Sequence, residues 1–173
     1  MKIIIVVDVQ NDFINGALGT PEAQVAFSNI IKRVNDAYVA GDFLIYTQDT
    51  HNSDYLNTLE GKKLPVKHCI KDTWGWRVHD EVDIDFYLHI KKPTFGSYEL
   101  VNKLLDLNKK YIITEIELFG FCTDICVLSN AIMIKNAFPT IEVSVVADCC
   151  AGVSPELHEA ALAVMKSCQI DIK

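Results

Sequence analysis

The sequence predicts an α/β fold, a parallel sheet with helices on both faces. Two observations carry this. Strand-like and helix-like runs alternate along most of the chain, as repeated β-α units do. The first run, Lys2–Val9, is β-branched without polar alternation, the pattern of a strand buried on both faces.

The remaining elements follow in order. Gln24–Ala40 has helical spacing through Val25, Ile30, Ile31, Val34 and Tyr38, and stops at Gly41, a C-cap residue. Phe43–Thr47 reads as the second strand and Phe86–Ile90 as the third. Ser97–Leu107 is a helix with Leu100, Val101, Leu104 and Leu105 on its apolar face, followed by a strand over Tyr111–Phe119. Asp124–Ala137 is a helix, Ile141–Ala147 a strand, Pro155–Ser167 a helix and Gln169–Ile172 a short last strand. Residues 49–85 break the pattern: they are polar and irregular, and a long connection of this kind is usually functional.

The composition narrows the function classes. The chain has 173 residues and reads as one domain spanning 1–173, large enough to build a core without disulfide or metal staples. Sixteen basic residues face 23 acidic ones, a net charge of −7 without a basic block, so neither nucleic acid nor an anionic membrane is an expected partner. The start, Met1-Lys2 followed by five apolar residues and Asp8, is too short for a signal sequence. A cytoplasmic location with reduced thiols is the expectation for Cys69, Cys122, Cys126, Cys149, Cys150 and Cys168. None forms a C-x-x-C pair, which disfavours cysteine-only zinc sites and thioredoxin-type chemistry.

In open α/β sheets ligands bind beyond the carboxyl ends of the strands. Those ends deliver Asp8, Asp49 with His51, Lys91-Lys92, the run Gly120–Cys126, and Asp148. Cys126 falls in the first turn of a helix capped by Thr123 or Asp124, where backbone N–H groups favour a thiolate and can bind an oxyanion. On spacing alone it reads equally as a small buried hydrophobe. Asp8 can take a thiol proton, cap a helix, or serve as the acceptor of a receiver-type domain; the last needs neither the cysteine nor the long connection. Asp49 and His51 share one side of an extended segment, and Glu60 and His68 would complete a mixed carboxylate–imidazole set suited to Zn, Mn or Fe; the alternative is a solvated loop. Only one of Lys91 and Lys92 can face the site.

Three segments resemble the isochorismatase-like cysteine hydrolases, and among them the nicotinamidases. Asp8-Val9-Gln10-Asn11-Asp12-Phe13 resembles the family's opening motif, Lys92-Pro93-Thr94-Phe95-Gly96-Ser97 its lysine segment, and Gly120-Phe121-Cys122-Thr123-Asp124-Ile125-Cys126-Val127 its nucleophile motif. The resemblance implies a three-layer α/β/α sandwich on a six-stranded, mostly parallel sheet, and homo-oligomers. It implies Cys126 as nucleophile, Asp8 as general base and later acid, and Lys92 assisting both, with Lys91 as the register alternative. It also implies a cis Phe121–Cys122 peptide, with backbone N–H groups of Cys122 and Cys126 turned toward an oxyanion. Thr47-Gln48-Asp49-Thr50-His51 and Leu64-Pro65-Val66-Lys67-His68-Cys69 resemble the nicotinamidase metal segments, implying a divalent metal on Asp49, His51, His68 and Glu60. Thr50 and Asn52 depart from the family pattern. The implied reaction is amide hydrolysis, nicotinamide to nicotinate and ammonia. Another small amide, a carbamoyl compound or isochorismate is the alternative, and a non-catalytic binding domain the contrasting class. Aromatic walls suit a flat ring, with Phe13 and Trp74 as the candidate pocket residues.

Overall fold

The computed structural model describes residues 1–82 and 87–173. Six strands form one parallel sheet in the order β3-β2-β1-β4-β5-β6. They are β1 (Lys2–Val7), β2 (Phe43–Asp49), β3 (Leu88–Lys92), β4 (Glu115–Phe121), β5 (Glu142–Ala151) and β6 (Asp171–Ile172). β1 is central, and Ile3, Ile4, Ile5, Val6 and Val7 are all fully buried, which is why that run shows no polar alternation.

The main helices are α2 (Pro21–Ala40), α4 (Tyr98–Lys110), α5 (Leu128–Ala137) and α6 (Pro155–Ser167), with short α1 (Asn11–Ile14) and α3 (Leu59–Lys63) beside the rim. The chain moves one way along the sheet from β1 to β3 and the other way from β4 to β6. Right-handed crossovers therefore put α2 on one face and α4, α5 and α6 on the other, a three-layer α/β/α sandwich. Local chemistry sets the helix starts. Thr20 Oγ1 accepts from Ala23 N, Ser97 Oγ from Leu100 N and Ser154 Oγ from Leu157 N; Pro21 and Pro155 occupy first turns. α2 ends on Gly41 in the left-handed region (φ 75°).

Several boundaries differ from expectation. Phe86, the expected start of the third strand, lies outside the described residues, and β3 runs to Lys92. α4 continues to Lys110, so Tyr111 and Ile112 are exposed and β4 starts only at Glu115. β5 runs past Ala147 to Ala151 after a register shift opposite Leu118 and Gly120. Asp148 is therefore an exposed residue within β5 rather than a rim residue; its carbonyl accepts from Asn29 Nδ2. Gly120 has φ 132°, and a Cβ there would lie 2.0 Å from Val7 O, so only glycine lets β4 pass so close to the end of β1.

Candidate active site

The carboxyl ends of β1, β2, β3 and β4 meet on one rim. Asp8 follows β1 with φ 49°, an uncommon conformation for a non-glycine residue, and is fully buried. Its Oδ1 accepts from Thr47 Oγ1 at 2.7 Å, and its Oδ2 faces Lys92 Nζ at 2.7 Å. Lys92 Nζ also lies 3.4 Å from Cys126 Sγ, 3.0 Å from Thr94 O and 3.9 Å from Asp49 Oδ1. Lys91 points the other way, 5.0 Å over the Trp76 ring, as strand alternation requires.

The electrostatics follow from burial. It pushes the Asp8 carboxyl above its ordinary value, an effect that Lys92 opposes and Asp49 adds to. Burial alone would lower Lys92, but Asp8, Cys126 and Asp49 together hold it well above the usual lysine range, so it stays charged. Burial, reinforced by Asp8, raises the Cys126 thiol well above the ordinary thiol value, and Lys92 offsets this only in part. The helix-start N–H groups, which favour a thiolate, are thus opposed by burial and by the Asp8 charge, and Asp8 is the carboxylate placed beside the sulfur to take its proton.

The turn that carries Cys126 also differs from the expected helix start. Residues Thr123–Val127 form a π-turn before α5, and neither Thr123 nor Asp124 caps it. Their side chains are engaged elsewhere. Thr123 Oγ1 pairs with His158 Nδ1 at 2.8 Å, and Asp124 Oδ1 accepts from Val153 N at 2.9 Å, fastening the turn to the β5–α6 connection. The peptide between Phe121 and Cys122 is cis.

Asp49, His51 and His68 form the second group. His51 Nε2 lies 3.0 Å and His68 Nε2 3.5 Å from Asp49 Oδ2. Glu60 Oε1 is farther out, 3.6 Å from His51 Nε2 and 3.9 Å from His68 Nε2, with its side chain partly exposed. Asp49, His51 and His68 each offer one ligand atom within 4.8 Å of the others. His51 Nε2 is buried without an aligned hydrogen bond. An orphaned imidazole nitrogen facing a buried carboxylate and a second imidazole fits a divalent cation.

A cavity of about 320 Å³ opens over both groups. Phe13, Leu64, Phe95, Phe121, Ile125 and Val153 form apolar walls, while Asp49, Glu60, His68, Cys122 and Cys126 supply polar edges. Trp74 is not among its walls, a correction. It is 55% exposed, and its carbonyl accepts from Asn11 Nδ2.

Sequence reasoning named no role for four residues that hold the site together. Gln10 donates to Asp49 O and accepts from Asp49 N, locking the end of β2. Asp12 Oδ2 accepts from Cys69 N, next to His68. Thr47 fixes Asp8, and Asn130 donates to Cys126 O. The usable signal was polarity at positions that must be buried: Gln10 lies in the first motif, directly after a buried strand, and Thr47 is interior to a buried strand.

Comparison with known proteins identifies the family. The isochorismatase domain model matches residues 2–172, and the chain belongs to that family. A nicotinamidase/pyrazinamidase of Mycobacterium tuberculosis is 25% identical over 185 residues, covering 99% of this chain and 98% of that protein. A nicotinamidase of Schizosaccharomyces pombe is 23% identical, covering 98% and 91% respectively. The pyrazinamidase of Pyrococcus horikoshii, solved in complex with zinc, superposes with a TM-score of 0.84 at 27% identity, over 99% of this chain and 98% of that one. These relatives fall in the nicotinamidase-like subgroup, and the chain is a hydrolase of amide C–N bonds.

Proposed function

We propose that the protein is a nicotinamidase: nicotinamide and water give nicotinate and ammonia through a thioester on Cys126. The observation that carries this is the placement of Lys92 Nζ, 2.7 Å from Asp8 and 3.4 Å from Cys126 Sγ, beside one cavity. In the first half-reaction Asp8 takes the thiol proton as sulfur attacks the amide carbon. The developing oxyanion is met by the backbone N–H groups of Cys122 and Cys126. Asp8 then returns the proton to the departing nitrogen, the C–N bond breaks and ammonia leaves. In the second half-reaction Asp8 takes a proton from water, water attacks the thioester, and the thiol is re-formed with nicotinate. Lys92 keeps compensating charge beside the base and sulfur throughout.

Asp49, His51 and His68, with Glu60 as the outer member, would hold a divalent ion such as Zn, Mn or Fe. When bound, that ion supplies a Lewis-acidic anchor for the ring nitrogen of a pyridine. Phe13 and Phe95 supply flat apolar walls for the ring. The Asp49, His51 and His68 cluster argues against isochorismate, because a metal site has no evident role in cleaving a vinyl ether. A cytoplasmic setting fits the six unpaired cysteines, and nicotinamide salvage is the process such an enzyme serves. No helix among the described residues is long and apolar enough to cross a membrane.

The test is ammonia release from nicotinamide before and after chelation. Turnover that falls with chelation and returns with Zn, Mn or Fe supports the reading. Absence of turnover in metal-replete protein, with turnover of a non-pyridine amide, overturns the substrate assignment.

A further inference from the structure

Asn130, one turn beyond Cys126 on α5, is fully buried, and its side-chain amide is engaged on three sides. Nδ2 donates to Cys126 O at 2.8 Å and to Phe95 O at 3.2 Å, and Oδ1 accepts from Ser97 N at 3.0 Å. Phe95 and Ser97 belong to the strap, residues 93–97, that follows Lys92 and leads into α4. The same strap holds the lysine head group, because Lys92 Nζ donates to Thr94 O at 3.0 Å, while Thr94 Oγ1 donates to Gly96 O. One amide thus bridges the residue that carries the sulfur and the strap that carries the ammonium's backbone partner. Burying a primary amide is costly unless its groups are paired, and here Nδ2 and Oδ1 are both paired, so the bridge depends on the strap and the turn keeping their places.

We propose that Asn130 is a positioning residue. It sets the strap 93–97 against the Cys126 turn, so that Lys92 Nζ remains within reach of Cys126 Sγ and Phe95 remains in the cavity wall. The inference rests on Cys126 and Lys92 forming the reacting pair.

The informative variant is Asn130→Thr. A threonine hydroxyl on a helix can still donate to the carbonyl four residues back, here Cys126 O, but it cannot also bridge Phe95 and Ser97. That separates the strap from the turn without stripping both. The measurements are thermal unfolding, steady-state kinetics on nicotinamide, and the rate of Cys126 alkylation by iodoacetamide followed on its own peptide. They are repeated in an Asp8→Asn/Lys92→Met background, which removes both partners of the buried ion pair together. The expected result is a folded variant with kcat and Cys126 alkylation each lowered roughly tenfold or more, since small misplacements of reacting groups cost this much. In the background lacking Lys92 the same substitution should leave alkylation unchanged, because a residue acting through Lys92 has nothing left to position. An equal loss in both backgrounds, or wild-type rates in the single variant, overturns the proposal. Alkylation needs no substrate. Inactivity toward nicotinamide combined with intact coupling between Asn130 and Lys92 would therefore count against the substrate reading alone.

Discussion

Asp8, Lys92 and Cys126 project from strand ends and a helix start, whereas His51, Glu60 and His68 hang from the connection between β2 and β3. The first group is closed. Asp8 has Thr47 on one oxygen and Lys92 on the other, and Lys92 has a carbonyl and a thiol besides. The second group is open: Glu60, its side chain partly exposed, stands apart at 3.6 Å or more from both imidazoles. Charges on regular structure can satisfy one another before a ligand arrives, while donors on a connection converge on a point that a cation completes. The two groups share Asp49, the last residue of β2, which is 3.9 Å from Lys92 on one side and 3.0 Å from His51 on the other. Burial would raise the Asp49 carboxyl, yet the His51 and His68 imidazoles beside it and the Lys92 charge hold it well below the usual carboxylate range, so it stays an anion for either neighbour.

The largest test of this contrast is Cys126→Ala, which should cut kcat by ~10⁴-fold or more while metal content, read by elemental analysis, stays at the wild-type level. Lys92→Met comes next, with kcat down roughly 10²–10³-fold, as for loss of one preorganised electrostatic group. It should also cost stability, up to about 3–5 kcal/mol for a broken buried pair and less where Asp8 takes up a proton. On the open side, stripping the metal should lower the unfolding midpoint by about 5–10 °C. This follows from about 2.7 kcal/mol for a site held at a hundredfold its dissociation constant, and about 2–4 °C per kcal/mol at this size. Calorimetry with and without chelator checks this, and His68→Ala should remove the difference. The smallest effect is at Thr47. Asp8 must be ionised to act as base, and burial raises its carboxyl above the ordinary 3.8, so kcat/KM should fall as pH drops through that raised value. Thr47 lowers it, so Thr47→Val should move the acid limb toward higher pH, by about one unit or less, and Thr47→Ser should restore it.

The fold and the rim were legible for a topological reason. A parallel sheet sends every strand's carboxyl end to one edge, so Asp8, Asp49, Lys92 and the run to Cys126 could be gathered without knowing any contact. What escaped was set by tertiary packing. Asp148 looked like a strand terminator because it is polar, but the register shift in β5 carries the strand on to Ala151. Thr123 and Asp124 looked like caps because of residue type, but His158 and Val153 N recruit them from another element. Trp74 looked like a pocket wall because it is large, but its loop turns it outward, and Phe95 and Leu64 line the cavity instead. Asn130 gave no local signal, since its bridge depends on a strap more than thirty residues away in sequence.

The central claim is that Cys126 bonds covalently to the substrate's acyl carbon under the control of Asp8 and Lys92. The direct measurement is rapid acid quench of metal-replete enzyme with nicotinamide, followed by mass spectrometry of the Cys126 peptide. A nicotinoyl adduct on that peptide, formed and lost within a turnover and absent from Asp8→Asn, is the predicted result. Steady turnover with that peptide unmodified, or with the adduct on Cys122 instead, would contradict it.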